Sequence, residues 1–225
     1  MTLLAEDLLL LLLDDTSGKP VVDGTRMPRV LAGAVLLELA LGDVVTPAEL
    51  GDDVKKGRLV VRGGVRPQDP LLARAVDLIG TSKPMKPEAA IEKLAKNLRD
   101  ELAKRIVDAG WVREERGKVL GIFPTTTRWP EVDGSHERAL RSELSAALLD
   151  GVTPTPRTAA LVSLLSAVDA APKLFPDADR RAVKKRAREI AEGDWAGKAV
   201  RKSVEAVNAA IVVAATVPAI VAGSG

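Results

Sequence analysis

The sequence predicts a mainly α fold: a single globular helical domain over residues 1–225, built around a buried central helix, with a small β-hairpin as an accessory. Three observations carry this expectation. Between Pro28 and Gly42 the chain reads PRVLAGAVLLELALG, apolar on every side of a helical wheel, with Glu38 as the one charge from Val30 to Leu41. A soluble helix of that kind is normally a central core element. Ile91, Leu94, Leu98, Leu102 and Ile106 recur at three- and four-residue spacing, the signature of one buried helical face. Finally, 225 residues at 46% hydrophobic suffice for a full core, and no internal repeat or low-complexity segment divides the chain.

Taken in order, Leu3–Leu13 reads as a buried first helix, closed by the turn Asp14-Asp15-Thr16-Ser17-Gly18, and Pro20–Arg26 as a loop. Pro28 suits the first turn of the central helix, where a missing N–H costs nothing, and Gly42 suits the position just past its end. Gly33 within it costs about 1 kcal/mol relative to Ala, so a neighbour is expected to pack closely there. Val44-Val45 and Leu59-Val60-Val61-Arg62 read as short strands, and Thr46-Pro47-Ala48-Glu49 as a brief helical turn. Asp69 caps a helix that has Pro70 at its first position and Leu71, Leu72, Ala75, Val76 and Ile79 on its inner face.

One longer helix follows Pro87 and ends at Gly110, with Lys93, Lys96 and Arg99 repeating every three residues away from its apolar face. Trp111–Glu114 and Lys118–Phe123 flank a turn at Arg116-Gly117, a hairpin pattern. Glu131–Leu149 is an amphipathic helix, and Thr158–Val168 is apolar enough to be buried. Asp177 opens a helix crowded with Arg180, Arg181, Lys184, Lys185, Arg186 and Arg188, which reads as a solvated face. Gly193 stops it, and Asp194 can cap a last helix from Trp195 onward.

Composition removes most function classes. There is no Cys, which excludes disulfides, Cys-based zinc sites and a thiol nucleophile. His136 is the one histidine, so neither a His-ligated metal nor a Ser-His-Asp triad is expected. The acid pairs Glu6/Asp7, Asp14/Asp15, Asp52/Asp53 and Glu114/Glu115 are sequence neighbours, which point apart on a helix. Ser142, Ser145, Ser163 and Ser166 lack a G-x-S-x-G context, and the glycines at 63–64 and 223–225 lack the spacing of a phosphate loop. No enzyme and no cofactor is predicted. With 33 Lys+Arg against 31 Asp+Glu the net charge is +2, so any basic surface must be local. Aromatics are 2%, with no Tyr, which leaves few platforms for stacking bases and makes nucleic acid a poor partner.

Leu8–Leu13 is an unbroken leucine run, but Glu6 and Asp7 precede it, whereas a signal peptide begins with positive charge. Ala206–Ala222 falls short of the roughly 20 residues of a spanning helix, and Asn208 and Pro218 interrupt it. It reads as a buried final helix, and a cytoplasmic protein is expected. Of the basic groups, Lys96 and Arg99 present fixed cations to solvent, and Arg26 and Arg29 stand at the start of the central helix. Such a cluster can hold a phosphate through charge-assisted hydrogen bonds.

Several segments occur together in one order: TLLAEDLLLLLLDDTSG, LAGAVLLELALGD, NLRDELAKRIVDAGWV, GIFPTTT and VNAAIVVAATV. On these the chain resembles the Golgi phosphoprotein 3 family, a mainly helical fold, and its Ala/Val/Arg/Asp-rich composition resembles that of bacterial members. Eukaryotic members are peripheral membrane proteins that bind phosphatidylinositol 4-phosphate and retain glycosyltransferases by their cytoplasmic tails. The resemblance therefore implies an anionic phospholipid or phosphoinositide headgroup, at a membrane surface, as the partner. A second implication is an adaptor for the cytoplasmic tails of membrane enzymes. The family's two lipid-binding Arg on the later helix fall on Lys96 and Arg99, so the charges are kept. Its Trp falls near Asp23 and its third Arg on Ala32, so the resemblance implies a basic pocket without specifying the lipid; Arg26 and Arg29 are the candidates to replace the lost Arg. The family's hydrophobic hairpin, linked to membrane insertion and oligomer contacts, corresponds to Val119, Leu120, Ile122 and Phe123.

Overall fold

The computed structural model describes residues 2–63, 65–116, 127–193 and 198–216. It is mainly helical, with nine α-helices and two small antiparallel sheets among those residues.

The first helix, α1 (Leu4–Leu11), is buried on all sides. Its orphan N-terminal N–H groups are met by carboxylates: Glu6 Oε2 accepts from the Leu3 N–H at 2.8 Å, and Glu38 accepts from the Leu4 N–H. The central helix α2 (Arg26–Leu41) packs against α1 and at least four later helices. Asp23 Oδ1 accepts from the N–H groups of Thr25 and Arg26, each at 2.9 Å, and so starts α2 two residues earlier than Pro28. Gly33 has the expected close neighbours: a Cβ there would lie 2.9 Å from Val207 and 2.8 Å from Ile211. Glu38, the odd charge in the sequence, thus serves the end of another helix.

Strands β1 (Val45–Pro47) and β2 (Leu59–Val61) pair antiparallel, with Val45 opposite Val61 and Pro47 opposite Leu59. The predicted helical turn at Thr46–Glu49 is corrected here. Thr46 and Pro47 are extended because β2 needs a ladder partner, and the Arg62 guanidinium holds the Thr46 hydroxyl at 2.8 Å. Helix α3 (Pro70–Thr81) begins as read, with the Asp69 side chain accepting from the Leu71 N–H at 2.9 Å.

The long helix after Pro87 is two helices, α4 (Pro87–Leu94) and α5 (Leu98–Asp108). Asn97 between them has φ 59°, a left-handed residue that no continuous helix contains. Apolar spacing persists across the break because Leu98 is buried beside Ile91 and Leu102 in the same core, so periodicity alone could not reveal it.

Strands β3 (Glu115–Arg116) and β4 (Thr127–Arg128) pair antiparallel, and Val112 bridges Glu131. The hairpin expectation holds, but Arg116 pairs with Thr127 as a strand residue instead of turning the chain. Val119, Leu120, Ile122 and Phe123 lie outside the described residues.

Helix α6 (Ser135–Leu148) starts four residues later than predicted, since Glu131 is engaged by Val112. Helix α7 (Pro156–Ala167) is capped by Thr155. A 3-10 turn at Ala171–Lys173 then leads to α8 (Arg180–Glu192), where the Asp179 side chain accepts from the Arg181 N–H at 2.8 Å. Helix α9 (Lys198–Thr216) returns across α2 and closes the core. Its predicted cap, Asp194, lies outside the described residues. Among the described residues no helix is long and apolar enough to cross a membrane.

Candidate functional site

The break at Asn97 decides where the predicted cations go. In one helix Lys93, Lys96 and Arg99 share a face; in the structure Lys93 is in the last turn of α4, Lys96 in the turn that follows it, and Arg99 in the first turn of α5. Lys96 and Arg99 therefore face separate cavities. Lys96 and Lys93 line a cavity of about 230 Å³, together with Arg74 of α3 and an apolar floor that includes Val35, Leu71, Leu78 and Leu94. Arg99 lines a larger one of about 580 Å³, formed with Ala103, Lys104, Val107, Arg116, Thr127 and Trp129 at the base of the hairpin.

Charge pairing distinguishes the two. Around the larger cavity each cation has a carboxylate at hand: Arg99 lies 2.9 Å from Asp100, Lys104 2.5 Å from Asp108, and Arg116 2.8 Å from Glu114. Glu114 also raises the Arg116 guanidinium pKa above its ordinary value. The Arg99 guanidinium lies 5.7 Å from the centre of the Trp129 ring, within cation–π range. In the smaller cavity Arg74 is held 2.6 Å from Glu101, whereas the exposed Lys93 and Lys96 side chains have no ion pair or hydrogen bond among the described residues. Two unpaired ammonium groups next to an apolar floor can accept an anion without first giving up a partner.

Arg26 and Arg29 line neither of these cavities. Arg29 lies 2.5 Å from Glu92 of α4 and donates to the Thr25 carbonyl at 2.9 Å, which ties the start of α2 to α4. Arg26 lies 3.2 Å from Asp23. Asp23 has its own task as the start signal of α2, and the Arg26 N–H together with that of Thr25 holds its carboxyl below the usual carboxylate range. Ala32 is fully buried. So the structure gathers Lys96 with Lys93, gathers Arg99 with Trp129, and sets Arg26 and Arg29 apart.

A family model for Golgi phosphoprotein 3 (GPP34) matches residues 4–207. The chain belongs to the Golgi phosphoprotein 3 family. The match runs from the start of α1 into α9 and includes all four predicted cations. No curated protein matches the chain. Within this family fold, sequence reasoning missed Trp129 and Arg74 as lining residues. For Trp129 a signal existed, since it is one of only three Trp in the chain. For Arg74 there was none, because only the tertiary placement of α3, packed on α2 and paired with α5 through Arg74 and Glu101, brings it to Lys96.

Proposed function

We propose that this member of the Golgi phosphoprotein 3 family is a non-enzymatic peripheral membrane protein of the cytoplasmic side, and that it binds anionic phospholipid headgroups at the α4–α5 break. The single observation that supports this most is the pair of unpartnered ammonium groups, Lys93 and Lys96, beside an apolar-floored cavity. Arg99, on the other side of the same break and set over Trp129, is the third cation of the proposed site. Lys is a point charge without the planar fork of Arg, so such a site favours anionic headgroups as a class over one phosphoinositide stereochemistry.

The test is vesicle flotation with phosphatidylcholine alone and with added anionic lipid. The wild type is expected to float only with the anionic vesicles, and Lys96→Glu/Arg99→Glu is expected to stay at the bottom. Unchanged flotation of the folded double variant rules out this site. A cation near an anionic surface is worth about 1 kcal/mol, so Lys93, Lys96 and Arg99 together hold the protein weakly. A second contact is then needed for useful binding.

A further inference from the structure

The charge on α8 is concentrated well beyond that of the chain. Its 13 residues carry six cations, Arg180, Arg181, Lys184, Lys185, Arg186 and Arg188, against Glu189 and Glu192, while the whole protein has a net charge of +2. Val183, Ala187 and Ile190 are buried, which fixes the helix by its apolar side. Arg180, Lys184 and Arg188 recur every four residues and so form one row, with neighbours about 6 Å apart along the axis. Arg180, Arg181, Lys185 and Arg188 are exposed.

Tertiary packing extends this row beyond the helix. Lys184 lies 2.6 Å from Asp169, the residue that turns the chain after α7 with φ 54°. That carboxyl lies below the usual range, chiefly through the Lys184 hydrogen bond, with help from the nearby charges of Arg188 and Arg26. Arg26 of α2, itself 3.2 Å from Asp23, is thus near that carboxyl without an ion pair to it among the described residues. Lys173 of the 3-10 turn donates to the Val21 carbonyl at 2.6 Å, fastening the α8 side of the molecule to the loop before α2. One turn further along α2, Arg29 reaches Glu92, the neighbour of Lys93. The first turn of α2 thus lies near Asp169 and is held to α4.

We propose that the exposed face of α8, with Arg26 and Lys173 at its margin, is a second docking surface whose partner is the anionic face of a phospholipid bilayer. It rests on the reading of the protein as membrane-peripheral, but not on the headgroup cavity. The fixed apolar side leaves nothing on α8 to insert, so the contact is adsorption by charge. The helix contains no aromatic residue to stack on a base.

The experiment compares three proteins on vesicles of phosphatidylcholine with and without phosphatidylglycerol, at about 0.1 M salt, where the screening length is about 10 Å. They are the wild type, Arg180→Gln/Lys184→Gln/Arg188→Gln, and Lys93→Gln/Lys96→Gln, each checked for unchanged circular dichroism and melting. Loss of three surface cations is expected to lower partitioning onto anionic vesicles by about 100-fold, and high salt to remove the difference. A fourth protein that combines both sets of substitutions is expected to show the same loss relative to Lys93→Gln/Lys96→Gln, since the two contacts are separate. A triple variant that partitions like the wild type overturns the α8 surface, and leaves the cavity standing if the Lys93/Lys96 variant is weakened. Tight retardation of duplex DNA by a protein that ignores anionic vesicles also overturns it, in favour of a nucleic-acid surface. Absence of any vesicle binding by the wild type sinks both readings.

Discussion

Arg157 of α7 and Asp7 of α1 stand 150 positions apart in the chain, and Arg157 Nη2 donates to Asp7 Oδ2 at 2.7 Å. The same guanidinium reaches the Thr2 carbonyl at 2.8 Å and Glu38 Oε1 at 3.1 Å, so one side chain ties the N-terminus, α2 and α7 together. Asp7 is 1% exposed, and His136, stacked on Trp111, contacts its other oxygen at 2.8 Å. Arg157→Leu is expected to lower unfolding free energy by about 3–5 kcal/mol, because it leaves a buried carboxylate half-paired. Urea unfolding measures this. A loss under about 1 kcal/mol, the scale of an exposed pair, contradicts the role assigned to the network.

At Gly33 two effects oppose one another. Ala removes the helix cost of Gly, a gain of about 1 kcal/mol. Its Cβ, however, would lie 2.8 Å from Ile211 Cδ1 and 2.9 Å from Val207 Cγ1. The end of an Ile side chain can swing away, but Val is stiff at χ1, and overpacking costs about 1–3 kcal/mol. Gly33→Ala is therefore expected to be destabilising by about 1 kcal/mol on balance. Val207→Ala in the same molecule should relieve the clash, so the double variant is expected to be more stable than the two single losses added together. Strict additivity in thermal unfolding would show that the contact is not the cause.

These cases mark what the sequence discloses. The apolar wheel of α2, the Asp69-Pro70 start of α3 and the tight packing at Gly33 are local patterns, and each could be read before the fold was known. Glu38 could be seen as an anomaly but not explained, because its partners are the end of α1 and Arg157, 119 residues away. The extended Thr46-Pro47 needed its ladder partner, and Arg74 needed the Glu101 of α5 that holds it beside Lys96. Lys96 and Arg99 were legible as solvent-facing cations. That they face different cavities depends on one backbone angle, which periodicity does not report.

Glu137 sets an expected pH dependence. It is 8% exposed, and burial pushes its carboxyl up to about 7 from 4.5, against the pull of Arg141 and with reinforcement from Asp15. A carboxyl that binds its proton more tightly when folded favours the fold at low pH. Its contribution is complete below pH 4.5 and is lost as pH rises through about 7. Glu137→Gln keeps an oxygen for the Arg141 Nε–H, now 2.8 Å from Glu137 Oε1, and has no proton to lose. Melting temperature measured across this interval is therefore expected to fall less with rising pH in the Gln variant than in the wild type. Parallel profiles would place the raised carboxyl elsewhere.

The break between α4 and α5 yields a test whose sign, and not only its size, separates two structures. If residues 87–108 formed one helix, Asn97 would be interior, and Gly there would cost about 1 kcal/mol relative to Ala. In the structure Asn97 has φ 59°, where a side chain with a Cβ pays roughly 1–2 kcal/mol unless it is Asn or Asp, and Gly pays nothing. Asn97→Gly is therefore expected to match or exceed the wild type in stability, and Asn97→Ala to fall below it by about 1 kcal/mol. Chemical denaturation of the three proteins reads the order directly. Ala above Gly would restore the continuous helix, put Lys93, Lys96 and Arg99 back on one face, and merge the two cavities' cations into a single row.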